Sequence, residues 1–400
     1  MFATSVMGAS PSLLEIFLAA LRLGCTSFGG PVAQLGYFRQ EYVERRRWLD
    51  DAHYADLVAL CQFLPGPASS QVGFGIGFLQ RGLAGGIAAW IGFTLPSAAL
   101  MIALAYGVTA LGGLGAAGWL AGLKAAAVAV VAQAVWSMAG TLCPDRSRAT
   151  LALGAALVLL LLPSAWSQVG GIAAGGGLGW WLFRGGVDGG ANSAPVVEGR
   201  RAGALWLAAF FAFLAGLPLL AGVTHNPWLT VFDRFFRTGS LVFGGGHVIL
   251  PLLEREVVAP GWVTHDQFLA GYGAAQALPG PLFTLCAYLG ALAKVGPGGW
   301  LGGLWAIAAI FAPSVMLVTG ALPFWQALRH RPGAQAALRG ANAAVVGVLL
   351  AAFYQPVWTS GITSLRTAAL ALAALGALQV WRLPPWAVVL AAAGLGQAFL

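Results

Sequence analysis

Two arginines and two Pro-Gly-Pro triplets are the residues in this chain whose type and spacing could do chemistry. Arg22 and Arg237 each lie well inside an apolar run. A guanidinium there costs about 2.5 to 3.5 kcal/mol and needs a partner or a cavity. It never loses its charge and presents five donors in a planar fork, which suits a tetrahedral oxyanion. The structural alternative is snorkelling, or an ion pair with Glu15 or Asp233. Pro65-Gly66-Pro67 and Pro279-Gly280-Pro281 fall in the middle of apolar segments, and a glutamine precedes each (Gln62, Gln276). Proline removes a backbone donor and glycine weakens a helix, so each triplet should interrupt one. In a bilayer such a break is tolerated only where protein or a water-filled cavity satisfies the freed groups. It also creates a helix N-terminus whose N–H groups favour an anion. The plain alternative is a kink that only aids helix packing.

Phe28-Gly29-Gly30-Pro31 and Phe243-Gly244-Gly245-Gly246 form a second pair of interruptions, at the ends of apolar segments. After the triplets come Ala68, Ser69, Ser70 and Gln71 in one case and Thr284 in the other. The expected binding set is therefore Arg22, Gly29, Gly30, Gln62, Pro65, Gly66, Pro67 and Ser69, with Arg237, Gly244, Gly245, Gln276, Pro279, Gly280 and Pro281. Asp56 and His247 are candidates for proton coupling, against the commoner roles of a solvated helix start and an interfacial histidine. Lys124 and Arg339 read as interfacial or snorkelling cations. No HxxxH or HExxH spacing supports a metal site, no GxxxxGK[ST] supports ATP-driven pumping, and no Ser-His-Asp or Cys-His arrangement supports catalysis. No cofactor is expected.

The elements that must position these residues follow from composition. Of 400 residues 59% are hydrophobic and 8% charged, with a formal net charge of +8. That excludes a water-soluble enzyme and a disordered chain. The basic residues stand in short clusters between apolar runs, as loops on the inner side of a membrane do, rather than in a nucleic-acid patch. Four scattered cysteines indicate neither a disulfide framework nor a zinc site. No convincing signal peptide opens the chain. At roughly 20 residues per crossing, the apolar mass predicts an all-α integral membrane protein of about ten transmembrane helices.

An internal repeat organises them. RLGCTSFGGP from Arg22 matches RTGSLVFGGG from Arg237, Trp48 and Trp262 stand equally far before their triplets, and FTLPS at Phe93 is echoed by FAPS at Phe311. The expected domains are an N-terminal membrane repeat, 1–183, a polar linker, 184–202, and a C-terminal membrane repeat, 203–400. Arg39, Arg45, Arg46 and Arg47 load one loop of the first copy, whereas Arg329, Arg331 and Arg339 load a different loop of the second. A positive loop that changes place predicts two inverted repeats with broken or re-entrant helices at the FGG and PGP motifs.

The stretch RLGCTSFGGPVAQLGYFRQEYVERRRWLDDAHYADLVALCQFLPGPASSQVGFGIG, with FRTGSLVFGGGHVILPLLEREVV and GWVTHDQFLAGYGAAQALPGPLFTLCAYLGA, resembles the chromate ion transporter family in its long two-domain form. The resemblance implies a secondary transporter that exports chromate, a divalent oxyanion, across the bacterial inner membrane. It also implies a drive from the proton motive force, and chromate resistance. Gly246 stands where the first copy has Pro31, a departure that leaves the half-sites inequivalent. The mechanism expected is a dianion held by broken-helix amides with Arg22 and Arg237, between halves that rock. The alternatives are sulfate or another oxyanion as substrate, or a passive anion channel. The partners are thus the oxyanion, a proton and the lipid bilayer, without nucleic acid, and homodimerisation stays open.

Overall fold

The computed structural model describes residues 11–28, 30–110, 118–162, 165–183, 199–242, 249–325 and 331–399, and these are helical throughout, without a strand. The first copy runs α1 (Leu13–Thr26), α2 (Gly30–Phe38, continued by a π-helical turn to Arg45), α3 (Asp51–Phe63), α4 (Ala68–Ala110), α5 (Gly118–Leu142), α6 (Arg146–Leu161) and α7 (Ala165–Leu182). Then comes α8 (Arg200–Thr224). The second copy repeats the order: α9 (Pro227–Leu241), α10 (Ile249–Val257), α11 (His265–Ala277), α12 (Leu285–Leu292), α13 (Gly299–Ala321), α14 (Pro332–Ala352), α15 (Leu365–Gln379) and α16 (Pro385–Phe399). Helix α4 bends where Arg81 and Gly82 leave helical geometry, and its two arms correspond to α12 and α13. Helix α8 has no counterpart in the first copy, and it begins at Arg200, inside the interval expected to be linker.

Local chemistry sets the starts. Ser12 and Glu15 form a capping box on α1, Thr264 and Gln267 one on α11, and Asp50 caps α3 through the His53 N–H. These caps satisfy N–H groups that a helix start leaves free. Among the described residues five helices are long and apolar enough to cross a bilayer: Ala68–Thr109, Ala121–Leu142, Arg200–Thr224, Gly299–Phe324 and Pro332–Gln355. The others are shorter or less apolar; 15 residues of α9 rise about 22 Å, against a hydrocarbon core of about 30 Å. An all-α membrane protein is what the helices form, while the figure of ten crossings counted apolar mass that lies partly in such half-length pieces. Helix α8 is the least enclosed of the long helices, with Leu205, Leu219 and Val223 exposed on it.

In space the copies interlock. Helix α5 packs against α15 and α16 of the second copy, and its equivalent α14 packs against α6 and α7 of the first. Glycines permit the approach: a Cβ on Gly122 would lie 2.0 Å from the Ala392 carbonyl oxygen, and one on Gly340 2.1 Å from that of Gly175. Each copy thus lends its last two helices to the other, and both large hydrophobic clusters draw side chains from both. Lys124 on α5 makes an ion pair with Asp266 on α11, again across the copies.

Candidate functional site

Each triplet breaks its helix in the same way. Leu64 and Leu278 are extended, both at ψ 148°, as the residue before a proline must be, and they end α3 and α11. The central glycines then take positive φ, +123° at Gly66 and +93° at Gly280. A Cβ on Gly66 would sit 2.5 Å from Gln71 Nε2 and 2.7 Å from Ser314 Oγ, and one on Gly280 2.9 Å from Ser97 Oγ. Ser97 and Ser314 are the serines of the FTLPS and FAPS echoes, and each faces the triplet of the opposite copy.

The same exchange governs the backbone. The Gly66 N–H donates to the Val242 carbonyl at 2.6 Å, and the Gly280 N–H donates to the Ser27 carbonyl at 3.1 Å. Ser27 ends α1 and Val242 ends α9, each directly before its FGG run. A contact from i to j matched by one from the equivalent of j to the equivalent of i is the signature of a local two-fold relation. Each triplet is therefore tied to the helix end of the opposite copy. Gly66, Pro67, Gly280 and Pro281 are buried there.

Buried polar side chains line this centre. Gln71 Nε2 donates to the Pro65 carbonyl at 2.6 Å, and Gln34 Nε2 donates to the Gly280 carbonyl at 2.5 Å. Thr284 Oγ1 donates to the Pro281 carbonyl at 2.8 Å. Ser27, Ser69, Ser70, Thr94, Ser97 and Ser314 are also buried. Most of this polarity comes from the first copy: where it has Ser27, Ser69 and Gln71, the second has Val242, Phe283 and Leu285. Among the described residues no three His, Cys, Asp or Glu side chains gather as metal ligands.

The chromate transporter family matches residues 14–180 and 229–397, one stretch in each copy and most of the chain. This chain belongs to that family. It is 29% identical over 350 residues to a chromate transport protein of Pseudomonas aeruginosa, covering 84% of this chain and 79% of the relative. It is 28% identical over 373 residues to one of Cupriavidus metallidurans, covering 90% and 86%. An uncharacterized transporter of Bacillus subtilis is 33% identical over 138 residues, which is 34% of this chain but 73% of the relative. No solved structure matches the chain.

In this chromate transporter family member the two arginines hold equivalent positions in unlike surroundings. Arg22 is exposed on α1. Arg237 Nη2 lies 2.9 Å from Asp233 Oδ2, with Glu256 Oε2 at 3.7 Å, so two carboxylates balance its charge. Asp233 is buried. Among the described residues the ion pair named as the structural alternative is present for Arg237 and not for Arg22. Glu256 also faces Arg234 at 3.7 Å, and Arg234 lies over the Trp262 ring, 4.7 Å from its centroid. The first copy builds the same corner on the equivalent glutamate and tryptophan with arginines from other positions: Arg45 and Arg46 hold Glu41, and Arg46 lies 5.1 Å from the Trp48 centroid.

Gln62 is exposed at the end of α3, whereas Gln276 is half-buried on α11 with its Nε2 enclosed and unpartnered among the described residues. Asp56 is half-buried on α3. Gly29, Gly244, Gly245 and His247 lie outside the described residues, and Gly30 opens α2. Residues that the motif reading left out of the binding set include Gln34, Ser27 and Gln71. Gln71 was visible as a polar residue just after the triplet and Ser27 as one just before the FGG run, but nothing in the pattern marks Gln34.

Proposed function

We propose that this protein is a secondary transporter that exports chromate across the bacterial inner membrane, driven by the proton motive force, and so confers chromate resistance. Membership of the family and relatives named chromate transport proteins over most of the chain support the substrate. The observation that carries the reading is the reciprocal pair of bonds, Gly66 to Val242 and Gly280 to Ser27, which ties each broken helix to a helix end of the opposite copy among buried polar side chains. Broken segments meeting between repeats are where transporters place their substrate, and half-helix N-termini there favour an anion.

In this reading the oxyanion sits on the N-terminal turns just after the triplets, among Ser69, Ser70 and Gln71. The copies run in opposite directions through the membrane, and α8 supports this, because one extra crossing between copies reverses the second. Access alternates by movement of the interlocked helix sets rather than of separate N- and C-terminal halves. Asp56 is the proposed acid for proton exchange. The test is labelled chromate uptake into everted vesicles that carry the protein, with and without a protonophore. Uptake above equilibrium that collapses with the gradient is expected. Equal uptake in both conditions would identify a passive channel, and uptake no greater than in vesicles without the protein would overturn the reading.

A further inference from the structure

Gln71 and Gln34 share a feature that the transport reading does not use. Each has its amide nitrogen fixed on a triplet carbonyl, Gln71 on Pro65 and Gln34 on Gly280. A carbonyl oxygen can only accept, so these bonds decide which end of each amide is nitrogen. The Oε1 atoms must then point the other way. Both are buried without a donor among the described residues, and so is the hydroxyl of Ser70, the residue beside Gln71. A buried acceptor left without a donor is costly, and native proteins keep one where a ligand or water completes it. Here there is one such acceptor at each triplet, inside the centre proposed to bind the oxyanion.

A fully ionised oxyanion offers only acceptor oxygens, and a fixed Oε1 repels it. Its singly protonated form offers one O–H. We propose that the form bound is the protonated monoanion, hydrogenchromate, with its O–H donated to Gln71 Oε1 and its remaining oxygens on the helix N-termini and the Ser70 hydroxyl. The charge balance agrees: Arg234 and Arg237 on α9 are matched by Asp233 and Glu256, and Arg22 is exposed on α1. Hydrogenchromate is abundant near neutral pH, whereas sulfate takes up a proton only in strong acid. One acceptor therefore separates two ions of like shape and charge by the proton that only one of them carries. This deepens the chromate reading of the same site and rests on it.

The ionisable groups on the elements around the centre are Glu15, Arg22 and Cys25 on α1, Tyr37 on α2, Asp51, His53, Tyr54, Asp56 and Cys61 on α3, Arg81 and Tyr106 on α4, Asp233, Arg234 and Arg237 on α9, His265, Asp266 and Tyr272 on α11, and Cys286 and Tyr288 on α12, while α13 has none. Among the described residues no ionisable side chain bonds either glutamine amide. The experiment must therefore separate a proton on the ligand from one taken up by a side chain. Chromate binding to the purified protein in detergent is followed by titration calorimetry, in buffers of differing ionisation enthalpy, from pH 5.5 to 8.5. At the alkaline end close to one proton is taken up per chromate bound, and at the acid end close to none. The dissociation constant in total chromate rises about tenfold per pH unit once free chromate is mostly ionised, and sulfate does not compete at any of these pH values. Gln71→Met abolishes the uptake and flattens the pH dependence.

A dissociation constant independent of pH, or competition by sulfate at alkaline pH, overturns the proposal even if Gln71→Met does not fold. Proton uptake that persists in a folded Gln71→Met protein also overturns it, by assigning the proton to a side chain. Failure of the wild-type protein to bind chromate at all would instead remove the transport reading beneath it.

Discussion

Replacing Gly66 by alanine tests the centre most directly. The backbone there has φ +123°, which costs a residue with a side chain about 1–3 kcal/mol. The new methyl also collides with Gln71 Nε2 at 2.5 Å and Ser314 Oγ at 2.7 Å. Gln71 can retreat only by leaving the Pro65 carbonyl, and a buried polar group stranded in this way costs a further 1–3 kcal/mol or so. The expected loss is thus about 2–6 kcal/mol. At Gly280 the strain is similar, but the contact is a single hydroxyl at 2.9 Å, so about 1–3 kcal/mol is expected there. With melting temperature falling on the order of 2 °C per kcal/mol in a chain of this size, Gly66→Ala should lower the melting point in detergent by at least about 4 °C, and by more than Gly280→Ala does. Chromate uptake into everted vesicles should be lost in Gly66→Ala, and Ser314→Ala in the same chain should recover part of the stability. A Gly66→Ala protein that melts and transports like the wild type would refute the geometry of the triplet.

Two more outcomes are expected from the ion pairs and caps. Arg237→Gln strands the buried Asp233 carboxylate, and breaking such a pair costs about 3–5 kcal/mol, reduced here because Arg237 is 35% exposed. The yield of monodisperse protein should fall and recover in Arg237→Gln/Asp233→Asn; a stable single variant that has lost only chromate uptake would instead place the arginine on the substrate. Asp50 caps α3 through the His53 N–H, which is the main reason its carboxyl lies below the usual carboxylate range. Its contribution is fully present above the unfolded value of about 3.9 and is lost as pH falls through the lower folded value. Asp50→Ala should therefore cost about 1 kcal/mol at neutral pH and less in strong acid, whereas Asp50→Asn should keep a cap without the pH dependence.

The helix breaks could be read from sequence because they are local chemistry: a proline compels the residue before it, and the glycine after it accepts a positive φ. The Arg237–Asp233 pair was open to the same reading, being one helical turn apart. Which break meets which was not, since Gly66 finds Val242 through space and no pattern along the chain records that partner. The interlocking of α5 with α15 and α16 was hidden for the same reason, and repeated motifs suggested two separable halves. The number of spans was hard to read for a different reason. Composition measures how much apolar surface exists, while proline, glycine and charge decide where it is cut, and they cut much of it into pieces of 13 to 18 residues. Gln34 was missed because an isolated glutamine in an apolar stretch looks the same whether it packs a helix or holds a triplet.

The paired bonds at the triplets run from peptide to peptide and involve no side chain. A duplicated gene is free to change Ser27 to valine or Gln71 to leucine in one copy without loosening either bond, because the atoms that make it belong to every residue type. Scaffold and lining are thereby uncoupled. The frame can stay symmetric through many substitutions while the walls become polar on one side and greasy on the other, so a new guest can be accommodated by repainting the interior rather than rebuilding the house.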